Sequence, residues 1–194
     1  MKKFFKRIIA PDYSIKEHTL FEKLEFLFFL FILGGMIGFV YEEIYFLFQD
    51  GMLEYRGFLY GPWLPVYGCG GVLIYLLFNR LRKYPWAIFL LTMLLTGVLE
   101  YLTGFVLWEL FHQHWWDYTT HPLNIHGYTC LDAVLSFAIA GLLLIYLIAP
   151  RFFKALDRLR PKTRHILFGC LAAVFFTDVV LSNVFLNPLG VVAV

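Results

Sequence analysis

Glu42, Glu100 and Asp178 each stand inside a long apolar stretch, and Arg56 opens a loop rich in glycine, proline and aromatic residues between two such stretches. An ionisable side chain inside a membrane costs about 2.5–3.5 kcal/mol or more when it faces lipid, so each is expected to face a bundle interior and to serve a function. A guanidinium there clamps an anionic group or pairs with a carboxylate, while a carboxylate takes a cationic group or a coupling proton. A second polar block, Trp115-Trp116-Asp117-Tyr118 followed by Pro122, Asn124 and Gly127, sets an acid among tryptophans. An aromatic belt accounts for the tryptophans but not for Asp117. His112, His114, His121 and His126 share that loop, yet His-x-His in a loop is a weak metal signal, and no metal or other cofactor is assigned. There is no Gly-x-Ser-x-Gly elbow and no Cys-His pair of recognisable spacing, so no catalytic residue is assigned and enzyme activity stays open.

Several of these residues have structural readings as well. Glu42 or Glu100 paired with Arg56 would hold helices in register without chemistry. Asp132 suits a helix N-terminus, and Glu43 and Glu109 suit a solvated rim. Asp178, followed by Ser182 and Asn183, remains ambiguous between the two kinds of role.

The elements that position these groups follow from composition. Of 194 residues 60% are hydrophobic and only 15% charged, more apolar side chain than one small core hides, so the surplus faces lipid. The 22 Phe, 12 Tyr and 5 Trp suit two membrane interfaces. This composition excludes a disordered chain, a disulfide-stapled secreted module and a soluble nucleotide-binding enzyme. Apolar runs predict five spans at about 24–48, 66–81, 86–111, 131–149 and 166–186, in a single all-α transmembrane domain covering 1–194. The second is short and opens on Gly68, Gly70 and Gly71, so a broken or re-entrant start near Leu59 is also in play. Five spans place every Lys and Arg except Arg56 on one side, which the positive-inside rule makes the cytoplasm. The N-terminus is then cytoplasmic and the C-terminus outside, in a multi-pass protein of a bacterial plasma membrane. The basic stretches read first as topological anchors and second as contacts for anionic lipid. No Walker-A loop is present, so nucleotide hydrolysis would come from a partner.

Helical spacing says which polar groups converge. Gly34, Gly38 and Glu42 at i, i+4 and i+8 form a small-residue stripe ending in a carboxylate, a candidate contact for another helix or a second copy. Thr92, Thr96, Glu100 and Thr103 line one side of the third span, and a rise of about 1.5 Å per residue puts Glu100 roughly 21 Å beyond Trp86. Cys69, Cys130 and Cys170 form no Cys-x-x-Cys, and apolar filler is their expected role.

These blocks resemble a bacterial membrane family, the ABC-transporter type IV permease-like proteins of the CmpB family. The resemblance runs from Gly34 to about Tyr146. It rests on Gly38 with Tyr41-Glu42, on Arg56-Gly57 with Gly61-Pro62 and Pro65-Val66-Tyr67-Gly68, on Leu99-Glu100-Tyr101, and on Trp115-Trp116-Asp117-Tyr118 with Pro122-Leu123-Asn124 and Gly127. Thr119 stands where serine is usual in the family, and Asp132 where a glutamate or a neutral residue is expected. The resemblance implies a permease role together with the family's fold and motifs. The expected site is a polar outer-leaflet pocket formed by Glu42, Arg56, Tyr67, Glu100, Trp116, Asp117, Tyr118 and Asn124, binding and passing a small or amphipathic substrate. Its expected partners are membrane lipids and either a second copy or an ATPase subunit, with no nucleic acid. The competing reading is an integral-membrane enzyme acting on a lipid or lipid-linked substrate at the outer leaflet, with the carboxylates as general acid and base.

Overall fold

The computed structural model describes residues 18–51, 57–112, 114 and 116–185. Its helices are α1 (Leu20–Asp50), α2 (Pro65–Phe78) with a 3-10 turn at Asn79–Leu81, α3 (Pro85–Phe111), α4 (Leu131–Leu143), α5 (Ala149–Asp157) and α6 (Pro161–Phe185). A π-helical turn, Leu144–Ile148, carries α4 into α5 without a break. Among the described residues there is no strand, only an isolated bridge between Ile125 and Thr129.

Local chemistry sets the boundaries. Thr19 caps α1 by accepting the Glu22 N–H at 3.3 Å, while Glu22 Oε2 accepts the Thr19 N–H at 3.0 Å, a reciprocal capping box. Gly51, at φ 73°, closes the other end in the left-handed conformation glycine tolerates. Pro85 and Pro161 open α3 and α6, where the missing N–H costs nothing.

Among the described residues four helices are long and apolar enough to cross a membrane: Leu20–Phe48, Pro85–Leu110, Leu131–Asp157 and Pro161–Phe185. The expected second span differs. Its 14-residue helix α2 extends only about 21 Å at 1.5 Å per residue, against a hydrocarbon core of about 30 Å. The last two expected spans also shift, because the helix expected to stop at Ala149 runs on to Asp157 and the last begins at Pro161 rather than Ile166. Much of the basic link between them is therefore helical, since cations near a helix end leave backbone hydrogen bonding intact.

Two compact units contain these elements, one of residues 10–73 and 149–191 and the other mainly of residues 74–148. In the first, the start of α2 lies directly on α1. A Cβ on Gly38 would stand 2.2 Å from Tyr67 Cγ, one on Gly34 would stand 3.2 Å from the Tyr67 carbonyl oxygen, and one on Gly68 would stand 2.5 Å from the Phe31 carbonyl oxygen. The small-residue stripe is thus filled by this chain's own Tyr67 and Gly68, which corrects its reading as a contact for a second copy. Ile32, Leu59, Trp63 and Phe175 form the adjoining core, flanked by Phe28, Phe31, Leu171 and Val179. Phe153 of α5 meets Phe26 of α1 edge to face at 5.2 Å.

In the second unit α3 and α4 pack antiparallel. A Cβ on Gly141 would come within 2.8 Å of Thr92 Oγ1, and one on Gly97 within 3.2 Å of Val134 Cγ1. At one end Tyr146 donates its hydroxyl to the Arg82 carbonyl oxygen at 2.5 Å. At the other, the register brings the start of α4 level with Gly97–Glu100, so the last turns of α3 project about 16 Å past it. The loop after α3 folds back along that projection, with Tyr128 against Gly104 and its ring edge-on to Tyr101 at 5.4 Å.

Candidate functional site

Glu100 lies where the returning loop meets α3. The Thr129 hydroxyl donates to Oε2 at 2.8 Å, and the Tyr118 hydroxyl donates to Oε1 at 3.2 Å. Thr129 directly precedes Cys130, the residue before α4, and Tyr118 belongs to the aromatic block, so the carboxylate receives hydroxyls from both arms of the loop. Each oxygen keeps a lone pair for a further donor, and the group therefore works as an acceptor, suited to a hydroxyl, an ammonium or a proton.

The rest of the block bonds within its own loop. Asp117 Oδ1 accepts the Thr119 N–H at 2.8 Å. That bond, with a further one from the Thr119 side chain and a smaller pull from His114, holds the Asp117 carboxyl below its ordinary range. Asn124 donates to the carbonyl oxygens of His121 at 2.8 Å and Thr119 at 3.2 Å, and accepts the Gly127 N–H at 3.1 Å. Trp116 donates its indole N–H to the Tyr128 carbonyl oxygen at 2.8 Å. Gly127, at φ 73°, also lies so close to Thr119 that an added Cβ would stand 2.8 Å from its methyl group. The physical reason is local: Asp and Asn side chains bond backbone groups two or three residues further along the chain, and Gly127 supplies the positive φ that the turn requires. Of the expected pocket residues, Tyr118 therefore meets Glu100 directly, whereas Trp116, Asp117 and Asn124 hold the strand of loop that presents it.

Glu42 lies half-buried on α1, and Tyr67 packs its ring over Gly38, 6.4 Å from the Tyr41 ring. Both belong to the unit that does not contain Glu100. Arg56 and Trp115 lie outside the described residues. The histidines take separate roles: His126 Nδ1 bonds the Tyr101 hydroxyl at 2.9 Å, His114 stacks on Trp108 at 4.5 Å, and His121 stands 4.0 Å from Asp132. The three cysteines are free thiols, and burial pushes the Cys130 thiol up.

Two further polar constellations emerge. Asp178, left ambiguous by its sequence context, is buried in α6 and gathers the first loop. Its Oδ1 accepts the Tyr60 N–H at 2.9 Å and the Ser182 hydroxyl at 3.1 Å; its Oδ2 accepts the Gly61 N–H at 2.9 Å and the Trp63 indole N–H at 2.7 Å. Backbone turned by Gly61 and Pro62 thus converges on one carboxylate. Beside it, Tyr60, Trp63, Val174, Thr177 and Leu181 border an open groove of about 530 Å³.

The other constellation was missed. Arg164, 3% exposed, bonds Glu25 at 3.1 Å, Asp157 at 3.4 Å and Glu22, and lies over the Phe26 ring at 5.0 Å. His165 bonds the opposite oxygen of Glu25, which is fully buried, and His18 lies 3.5 Å from Asp157. One guanidinium thus ties α1, α5 and α6 together. Its signal was available in Glu22-x-x-Glu25 at helical spacing on the same side as the basic link, but Arg164 reads as one anchor among many until its burial is known.

Comparison with known proteins gives a single family. The model described as "Putative ABC-transporter type IV", the CmpB family, matches residues 29–183. No curated protein and no solved structure matches.

Proposed function

Since the chain belongs to this ABC-transporter type IV family and is a transport-related membrane protein, we propose that it is the permease-like component of a transport system, with its polar contact point at Glu100. The observation that carries the reading is the carboxylate on a membrane-length helix held by two hydroxyl donors, Tyr118 and Thr129. An isolated acid at that depth is costly and is retained where it binds something. A substrate bearing a hydroxyl or ammonium group displaces the longer bond, from Tyr118, while Thr129 keeps the carboxylate oriented. Tyr118 then acts as the movable partner, and Trp116, Asp117 and Asn124 keep its loop in place. Five crossings with the basic side cytoplasmic, α2 being a short crossing completed by neighbouring loop, set this point toward the outer leaflet of the cell membrane. Energy comes from a separate ATPase subunit.

The test uses a deletion strain complemented with the wild-type chain or with Glu100→Gln, an isosteric change that keeps one acceptor oxygen. Untargeted profiling of metabolites and lipids in cells and medium identifies the species whose distribution the wild-type chain restores. At equal membrane levels of protein, Glu100→Gln is expected to leave that species misplaced. Full restoration by Glu100→Gln refutes the assignment of Glu100 as the contact point.

A further inference from the structure

The turn joining α5 to α6 carries a concentration of exposed positive charge. Ala149, Pro150, Phe153 and Leu156 face the core, while Arg151, Lys154, Arg158, Arg160 and Lys162 are all exposed. Among the described residues, Lys154, Arg158, Arg160 and Lys162 make no ion pair. The one acid within the stretch, Asp157, is engaged elsewhere: its Oδ1 bonds Arg164 at 3.4 Å and its Oδ2 lies 3.5 Å from His18. Glu22 and Glu25 are drawn to Arg164 in the same cluster. Among the described residues, Glu22, Glu25 and Asp157 are thus gathered on one buried arginine, and four cations within nine residues face outward.

We propose that this exposed basic turn is a docking surface for anionic phospholipid headgroups. It joins two helices of membrane length, Leu131–Asp157 and Pro161–Phe185, so its cations stand where those helices leave the hydrocarbon, at the level of lipid phosphates. The positive-inside bias accounts for which side the cations occupy. It does not account for the engagement of Asp157 by Arg164 and His18, which occupies the one acid of this stretch. The Arg164 cluster also fixes the ends of α5 and α6 to α1, so the surface is held in place before any lipid arrives. Each cation near an anionic surface strengthens binding about fivefold, and salt screens the effect.

The experiment uses the purified full-length chain in neutral detergent, with native mass spectrometry and thermal unfolding read after addition of phosphatidylglycerol or phosphatidylcholine. Phosphatidylglycerol is expected to bind and to raise the unfolding temperature, and both effects are expected to shrink at about 0.5 M salt, where screening is short-ranged. Lys154→Gln/Arg158→Gln/Arg160→Gln/Lys162→Gln is expected to weaken binding about fivefold per charge removed. Arg158→Lys/Arg160→Lys, which keeps the charge, is expected to bind as the wild type does. Equal binding of the two lipids by the wild-type chain, or insensitivity to salt, overturns the proposal without recourse to any variant. So does a folded Gln variant that still binds phosphatidylglycerol normally.

Discussion

Asp178→Asn isolates the carboxylate that organises the first loop, and its effect can be worked out bond by bond. Asn keeps the size but replaces one oxygen with an amide nitrogen. At the Oδ2 position that nitrogen would meet the Gly61 N–H and the Trp63 indole N–H, two donors that cannot accept. At the Oδ1 position it meets the Tyr60 N–H and the Ser182 hydroxyl, and the hydroxyl can rotate to accept while its oxygen still takes the Tyr60 N–H at 3.2 Å. The second arrangement therefore wins. Two bonds to Oδ2 fall from charge-assisted strength, about 1.5–3 kcal/mol each, to neutral strength, about 0.5–1.5 kcal/mol each. Against that, a neutral amide is less costly to bury than a carboxylate. The net expectation is a loss of about 1–3 kcal/mol. Asp178→Asn/Ser182→Ala removes the hydroxyl that rescues the amide, so the double variant should lose about 1–2 kcal/mol more than the two single losses added together. Denaturation by sodium dodecyl sulfate, followed by tryptophan fluorescence, reads the stability. Limited chymotrypsin cleavage at Phe58–Trp63, mapped by mass spectrometry, reads the loop itself. Wild-type stability and wild-type cleavage in Asp178→Asn, or strictly additive losses in the double variant, would refute the convergence of loop donors on Asp178.

Gly38→Ala places a methyl group where Tyr67 Cγ stands 2.2 Å away, so overpacking should cost about 1–3 kcal/mol in the same denaturation assay, and Tyr67→Ala in the Gly38→Ala background should recover part of it. Absence of any loss would mean that α1 and α2 do not meet there. Asp117 has its folded-state pKa lowered from an ordinary 3.8 by the Thr119 bonds, so its stabilisation of the loop is fully present above that value and is lost as pH falls through the lower folded value. Hydrogen-exchange protection of the Thr119 amide should accordingly stay constant from neutral pH down to about pH 4 and drop only below it. In Asp117→Asn, whose amide oxygen still accepts the Thr119 N–H but as a neutral partner, protection should be lower than in the wild type at neutral pH and show no step.

Much of this protein follows from composition and spacing alone. Surplus apolar side chain demands lipid, runs of membrane length predict where most helices lie, and prolines and glycines mark several of their ends; α3 forms close to its expected position, and α1 and α6 contain most of theirs while starting four and five residues earlier. The polar residues worth attention were equally visible, because an acid such as Glu100 within an apolar run is conspicuous in one dimension. Spacing along a chain does not, however, specify what a side chain meets across space. Only the tertiary structure decided that the Gly34–Gly38 stripe receives Tyr67 and Gly68 of this chain, that Asp117 and Asn124 bond their own loop, and that Asp178 collects the donors of a segment more than a hundred residues earlier. It also separated Arg164 from the other cations of the basic link, a distinction no count of charges contains. The physical reason is common to all four. Helical periodicity and transfer free energy are local properties, whereas the pairing of buried polar groups depends on which surfaces come within about 3 Å of each other.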